Sequence, residues 1–279
     1  MKVEQLRDLG FQLEGRAPGG ESGGAWFATT VDGTRVVLKW FAGEGMADRY
    51  AELLPALDAL RSRGVPVPEY SFVRAVDGWT LSAQQVLPGQ SFPTWPPRLV
   101  DRIIECVSAA AGISGPSPPR TGLLWGEFMI HTLTVGEHGY AQHDSLRTHS
   151  DRSRRILDAI ESIGATAEPS WFPTTGLVHF DLHTDNVLVL DDGTLSGIID
   201  WEDACAGDHR FDLVAFAFDL HGHGQQIWER IEPLVEPRLL RVYVAHMALR
   251  FTDWAIRFHP EDVPRQMERN DQVFDRFGM

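Results

Sequence analysis

The chain has 279 residues, of which 43% are hydrophobic and 23% charged, and a formal net charge of −14. That size and balance fit a soluble globular protein with ample core, built as one bilobal unit or two small domains. They exclude two broad classes: no apolar run approaches the roughly 20 residues needed to span a bilayer, and the acidic excess argues against binding a nucleic-acid backbone.

From the N-terminus, Glu4 to Leu9 reads as a short helix and Phe11 to Gly15 as a strand. The stretch Gly15-Arg16-Ala17-Pro18-Gly19-Gly20-Glu21-Ser22-Gly23-Gly24 leads to a second strand, Ala25 to Val31. Asp32-Gly33 then turns the chain into a third, Thr34 to Phe41. Glycines between paired strands let backbone N–H groups approach phosphates without an intervening Cβ, and Ser22 adds a hydroxyl donor. Gly20, Ser22 and Gly23 are therefore candidate phosphate contacts. Alternation along the third strand puts Lys39 on the face of Val37 and Phe41, a lone cation among apolar neighbours.

Met46 to Arg63 has helical spacing, with Leu53, Leu57 and Leu60, and Gly64 closes it. Pro55 inside the pattern predicts a kink or a restart. Strands follow near Tyr70-Ser71-Phe72-Val73 and from Trp79 to Leu87. Arg98 to Ala111 predicts an amphipathic helix ending at Gly112. Residues 121–150 carry no readable pattern. Their histidines, among them His131, His138, His143 and His149, lack metal spacing and read mostly as surface residues. Asp151 to Ile163 reads as a helix, as do Phe211 to Leu220, Pro237 to Arg257 and Pro264 to Phe277. The start, Met1-Lys2-Val3-Glu4-Gln5-Leu6-Arg7-Asp8, is too charged for a signal peptide. Cys106 and Cys205 stand far apart in no metal-ligand spacing, which points to reduced thiols in a cytoplasmic protein.

The most informative segment is His179-Phe180-Asp181-Leu182-His183-Thr184-Asp185-Asn186. Asn186 to Leu190 reads as a strand, Asp191-Asp192-Gly193-Thr194 as a tight turn and Leu195 to Ile199 as the return strand. Folding about Asp192-Gly193 brings Asn186 opposite the end that carries Asp200. An amide oxygen and a carboxylate then converge as hard ligands of the kind Mg²⁺ prefers. Asp181, five residues before Asn186, is left to orient a substrate hydroxyl and take its proton. This is the layout of a phosphoryl-transfer site.

At these residues the sequence resembles the aminoglycoside phosphotransferases and the wider family of small-molecule kinases that share their fold. That family carries a His-x-Asp-Leu-His-x-x-Asn loop followed by Ile-Ile-Asp-Trp. The matching residues are His179, Asp181, Leu182, His183 and Asn186, then Ile198-Ile199-Asp200-Trp201. A Gly-Asp-x-x-x-Asp-Leu stretch is matched by Gly207-Asp208 and Asp212-Leu213. Phe180 stands where the family usually has Gly, Thr184-Asp185 replaces Pro-Gly, and His209 replaces Pro. These departures remove no functional group and bear on subfamily and substrate. Protein-kinase signatures (His-Arg-Asp, Asp-Phe-Gly, Ala-Pro-Glu) are absent, which points to a small-molecule acceptor.

The resemblance implies an α+β, bilobal protein-kinase-like fold. Its small antiparallel β lobe would be residues 1–87, binding nucleotide, and its larger, mainly helical lobe residues 88–279, carrying catalysis and the acceptor. The implied cofactors are ATP and Mg²⁺. Asp181 would be the catalytic base, Asn186 and Asp200 the metal ligands, and Lys39 the partner of the α- and β-phosphates, held by Glu52 or by Glu44. Gln84-Gln85-Val86-Leu87-Pro88-Gly89 resembles the family's hinge, meeting adenine through the Gln85 carbonyl and the Leu87 N–H. His179 and Asp212 would brace the catalytic loop, and His183 would brace it or lie near the phosphates. Glu202, Asp203 and Asp253 are candidate acidic contacts for the acceptor, with Trp201 and Trp254 as walls.

The expected function is phosphorylation of a hydroxyl on a small cationic antibiotic, an aminoglycoside or a basic cyclic peptide such as viomycin or capreomycin, by a monomer or homodimer. The acidic surface would attract such an acceptor. The alternatives are a metabolite kinase of the homoserine or choline type, a metallohydrolase with His179, Asp181 and His183 as ligands, and a pseudokinase that binds without transfer.

Overall fold

The computed structural model describes residues 3–17, 24–43, 45–91, 94–118, 122–137, 139–221 and 226–279. In chain order the elements are α1 (Val3–Asp8), β1 (Phe11–Arg16), β2 (Trp26–Thr30), β3 (Arg35–Ala42), α2 (Gly45–Ser62), β4 (Tyr70–Val76), β5 (Trp79–Gln85) and α3 (Pro97–Ala109). There follow α4 (Trp125–Thr134), α5 (His143–His149), α6 (Asp151–Thr166), β6 (Gly176–Val178), β7 (Val187–Val189), β8 (Leu195–Ile198) and β9 (Cys205–Gly207). The chain ends with α7 (Phe211–Asp219), α8 (Gln226–Ile231), α9 (Pro237–Phe258) and α10 (Val263–Phe277).

These elements gather into two compact units, one of Met1–Ala109 with Asp185–Glu202, the other of Ala110–Thr184 with Asp203–Met279. Helix α3 and the hairpin β7–β8 thus belong to the same unit as the N-terminal strands, a grouping that differs from a division after residue 87.

The first unit is organised by a five-stranded antiparallel sheet of order β1-β2-β3-β5-β4. Period-two alternation sorts its side chains. Ala28, Val36, Leu38, Leu81 and Ala83 bury one face together with Leu6 and Phe11, so Lys39 projects from the other. Helix α2 buries Tyr50, Leu53, Ala56, Leu57 and Leu60. It runs unbroken through Pro55, so of the expected kink or restart there is no restart. Pro55 and Ala51 are both exposed, so the carbonyl that loses its helical partner lies on the water side, where solvent can satisfy it.

The hairpin forms as its sequence predicts, with Val187 paired to Ile198 and Leu188 to Gly197. Leu190 N–H donates to the Thr194 carbonyl, and Gly193 supplies φ 80° at the turn. A Cβ there would come within 2.6 Å of Arg98 Nη2. Ile198 N–H donates to the Pro66 carbonyl and Val189 pairs with Gln90, which ties the hairpin into this unit.

The second unit is mainly helical, with one short antiparallel pair, β6–β9. Its core closes around Phe180, whose ring stacks on Phe211 at 5.6 Å and 16° and meets Trp125 edge-on. Helices α4 and α5 occupy the stretch whose sequence carried no pattern. In α4, Trp125, Gly126, Phe128, Met129, Thr132 and Leu133 are all buried, and only a narrow stripe through Glu127, Ile130, His131 and Thr134 stays partly open, so the polar face that would mark its periodicity is thin. His143, expected on the surface, is buried, with Nδ1 2.9 Å from Glu161 and Nε2 3.0 Å from the Thr132 carbonyl. No helix of the described residues is long and apolar enough to cross a membrane.

Candidate active site

In the first unit the chemistry gathers on Lys39. Its ammonium donates to Asp200 Oδ1 and Glu202 Oε1, each at 2.7 Å. The lysine side chain is 14% exposed and that of Glu202 17%. Burial alone would push the ammonium's pKa down, but Glu202 and Asp200 together push it up. The Glu202 carboxyl is itself pushed well above its usual range, by burial first and by Asp200 second, against the pull of Lys39. Its second oxygen, Oε2, is buried with no hydrogen-bond partner among the described residues. Two carboxylates on one ammonium, with an unsatisfied oxygen beside Asp200, form the hard, electron-rich donor set that suits a divalent cation such as Mg²⁺.

Glu52 does not fill the role expected of it. Helix α2 turns Leu53, Ala56 and Leu57 inward, which leaves Glu52 exposed on the outer face, and Lys39 takes its carboxylates from the segment after β8. Arg49, on α2, reaches that segment instead and donates from Nε to the Glu202 carbonyl at 2.9 Å. Asn186 is buried just before β7, and its carbonyl accepts from Ile199 N–H at 2.9 Å, next to Asp200. Gln85 ends β5, with its N–H bonded to the Glu69 carbonyl at 2.7 Å, and Leu87 follows. Gly20, Ser22 and Gly23, like Glu44, lie outside the described residues. Trp201 is buried and donates from Nε1 to the Ile198 carbonyl at 2.7 Å.

In the second unit the centre is Asp181. Arg250 Nη2 donates to its Oδ1 at 2.6 Å, and His183 Nε2 lies 3.7 Å from its Oδ2. Burial would raise the carboxyl's pKa, but Arg250 foremost, with His183, holds it well below the usual carboxylate range. Burial likewise works against the His183 imidazolium, yet Asp181 more than compensates and pushes it up to about 9. A carboxylate so strongly held is a weak base and a good orienting group.

The loop that carries Asp181 is braced from α7. Asp212 accepts from His179 N–H at 2.6 Å and Phe180 N–H at 2.9 Å. Asp219 accepts from Thr184 N–H at 2.9 Å, and His179 Nδ1 accepts from Asp181 N–H at 3.3 Å. Burial pushes the Asp212 carboxyl up to about 7 despite those N–H donors. Asp208 is fully buried and spent on structure, gripped by both arms of Arg210 and by the Tyr243 hydroxyl.

The acidic residues considered for the acceptor divide. Asp253 is fully buried, bound by Arg257 and by Ser145 Oγ at 2.6 Å, and so is a structural ion pair. Glu202 is engaged with Lys39, and Asp203 is half-buried. Trp254 packs on Phe258 at 4.4 Å. His179, Asp181 and His183 do not converge as a metal triad. Among the described residues only His259, Glu261 and Asp262 bring three such ligand atoms within 4.8 Å of one another.

Solved structures share this fold. Choline kinase LicA from Streptococcus pneumoniae matches with a TM-score of 0.60 at 14% identity, covering 96% of this chain and 97% of that one. Macrolide 2'-phosphotransferase type I matches at 0.57 and 18%, covering 96% and 94%. Aminoglycoside-3'-phosphotransferase of type VIII matches at 0.51 and 17%, covering 96% and 98%. A comparison with curated protein sequences gives no match. The fold is that of the protein-kinase-like phosphotransferases. Residues 15–256 match the model of the phosphotransferase enzyme family, and the chain belongs to that family. It is a small-molecule phosphotransferase.

Arg250, Arg49 and Asp219 carry no signal in a single sequence. Each lies on a helix remote along the chain from the group it holds, and only the packing of α9, α2 and α7 shows the pairing.

Proposed function

We propose that this phosphotransferase moves the γ-phosphoryl group of ATP to a hydroxyl of a small cationic alcohol, with aminoglycosides and basic cyclic peptide antibiotics as the first candidates. The observation that carries the nucleotide assignment is Lys39 held between Asp200 and Glu202. A buried ammonium fixed this way is ready to bind a triphosphate. Complexes of LicA with AMP, and of a structural relative with GDP and kanamycin, support nucleotide binding.

Mg²⁺ would be held by Asn186 and Asp200, with Glu202 Oε2 close at hand, and would neutralise charge on the phosphates. Residues 1–87 would serve the nucleotide, with Gly20, Ser22 and Gly23 at its phosphates and the Gln85 carbonyl and Leu87 N–H at its adenine. Residues 88–279 would serve catalysis and the acceptor. The acceptor oxygen bonds to the γ-phosphorus as the bond from that phosphorus to the β,γ-bridging oxygen breaks. ADP departs, and the hydroxyl proton passes to Asp181 and then to water. Because Asp181 is so strongly held, its main contribution is to aim the hydroxyl, with proton uptake late in a loose transition state.

Net charge of −14 supports a cationic acceptor. Asp203, half-buried after β8, would offer it an acidic contact. The structural relatives include a choline kinase, and choline is also a cationic alcohol, so a metabolite of that kind is the second reading. Cys106 and Cys205, buried and not joined in a disulfide, suit the cytoplasm, where ATP is available. The test is purified protein with ATP and Mg²⁺ against a panel of aminoglycosides, viomycin, capreomycin, choline and homoserine, following ADP release. Turnover confined to homoserine, a zwitterion of zero net charge, would reject the cationic assignment, and nucleotide-independent hydrolysis would reject the kinase.

A further inference from the structure

Phe180 adopts φ 74°, a left-handed backbone that a bulky side chain resists. Among the described residues only Asp77 and Asp200 share positive φ without being glycine. Three restraints hold Phe180 there. Its ring is locked in the aromatic core, against Phe211 and Trp125. Its N–H is taken by Asp212. Its carbonyl accepts from Arg250 Nη1 at 2.7 Å.

The same guanidinium reaches the next residue, with Nη2 on Asp181 Oδ1 at 2.6 Å. Arg250 lies within α9, a helix buried along most of its length, and its side chain is only 16% exposed. Its head packs over the rings of Tyr140 and Phe180 at 5.4 and 5.2 Å. A planar fork of fixed geometry, anchored on a rigid helix, thus spans two consecutive groups of the catalytic loop, one strained and one reactive.

We propose that Arg250 is the positioning residue of this loop: it holds the Phe180 peptide in its left-handed conformation and thereby aims the Asp181 carboxylate. Where the family usually has Gly, the backbone needs no such restraint; with Phe180 in that place, Arg250 supplies it. The proposal rests on the reading of Asp181 as the group that orients the attacking oxygen.

The test uses the full chain with Mg²⁺ and ATP, water serving as acceptor. The water oxygen bonds to the γ-phosphorus, the β,γ-bridging bond breaks, ADP and phosphate leave, and the water proton passes through Asp181. In Arg250→Ala, hydrolysis should fall by roughly a hundredfold, the scale of a misaimed reacting group, with ATP affinity unchanged. Millimolar guanidinium chloride, but not the same concentration of sodium chloride, should restore part of the rate. Arg250→Lys keeps the charge but loses the fork, and should behave like alanine. Independently of turnover, the Phe180 amide should lose hydrogen-exchange protection in Arg250→Ala while the amides of α9 keep theirs. Full protection of Phe180 overturns the proposal, whether hydrolysis survives or not. Lost protection with unchanged hydrolysis leaves the clamp standing and removes Asp181 from its assigned role instead.

Discussion

Lys39 draws its second carboxylate from Glu202, whose Oε1 stands 2.7 Å from the ammonium, and not from helix α2. The segment Asp200–Glu202 therefore supplies both carboxylates of the lysine, and one stretch of backbone sets their position. Glu202→Gln should weaken ATP binding by roughly tenfold, the worth of one charge-assisted hydrogen bond, whereas Glu52→Gln should leave it as in the parent. Titration calorimetry with ATP and Mg²⁺ makes the comparison. A larger loss from Glu52→Gln would restore the helix as the lysine's partner.

Asp181→Asn keeps the shape and the contact with Arg250 but removes the charge and the proton site. Turnover on the acceptor should drop by about a hundredfold or more, with nucleotide affinity nearly intact. Steady-state rates paired with binding isotherms separate the two effects, and near-parental turnover would show that Asp181 is dispensable.

The imidazole of His183 should report on that carboxylate. Its pKa is pushed up to about 9 by Asp181 against burial, above its unfolded value. The stability it contributes is then complete below the ordinary histidine pKa of about 6.5 and is lost as pH rises through 9. An NMR titration of the ring should place its midpoint well above that ordinary value in the parent and return it toward or below that value in Asp181→Asn. Equal midpoints in both proteins would break the coupling.

Asp212, an acid, loses its contribution in the same direction, as pH rises. Its pKa is raised to about 7 by burial, so the folded state holds a proton that the unfolded state releases. Stability associated with Asp212 is complete below the ordinary 3.8 and declines as pH climbs to about 7, beyond which it is flat. Urea unfolding across that window should show a shallower decline in Asp212→Asn than in the parent, and a parallel pair of curves would refute the shift.

Asp253 is held by Arg257 and Ser145 in a fully buried position. Asp253→Ala leaves the Arg257 charge without its partner and should cost about 3 kcal/mol in unfolding free energy. Acceptor KM should hold steady, because both carboxylate oxygens of Asp253 are bound inside the protein. A KM effect without loss of stability would return Asp253 to the binding site.

Much of this was legible from sequence because it is local. The turn at Asp192-Gly193 fixes the hairpin register, and that register puts Asn186 opposite Ile199 with no knowledge of the remaining fold. Alternation along β3 fixes the face of Lys39 in the same way. What stayed hidden depends on packing. Pro55 reads as a break until its outward position is known. The partner of Lys39 required the path of the chain after β8. Arg250 is one arginine among many on charged helices until α9 is laid against the loop. Helix α4 leaves only a narrow stripe outside the core, Glu127, Ile130, His131 and Thr134, which is thin to read.

The hairpin Asp185–Glu202 belongs to the same compact unit as residues 1–109, though the ribosome makes it much later. Val189 pairs with Gln90, and Ile198 bonds to the Pro66 carbonyl, so the first unit awaits a piece that emerges only after Ala110–Thr184 of the second has been synthesised. During translation the N-terminal unit must therefore persist without its hairpin while the helices from α4 to α6 leave the exit tunnel. Truncation after residue 109 would produce a stranded fragment, and the gene cannot be divided there into two self-sufficient halves.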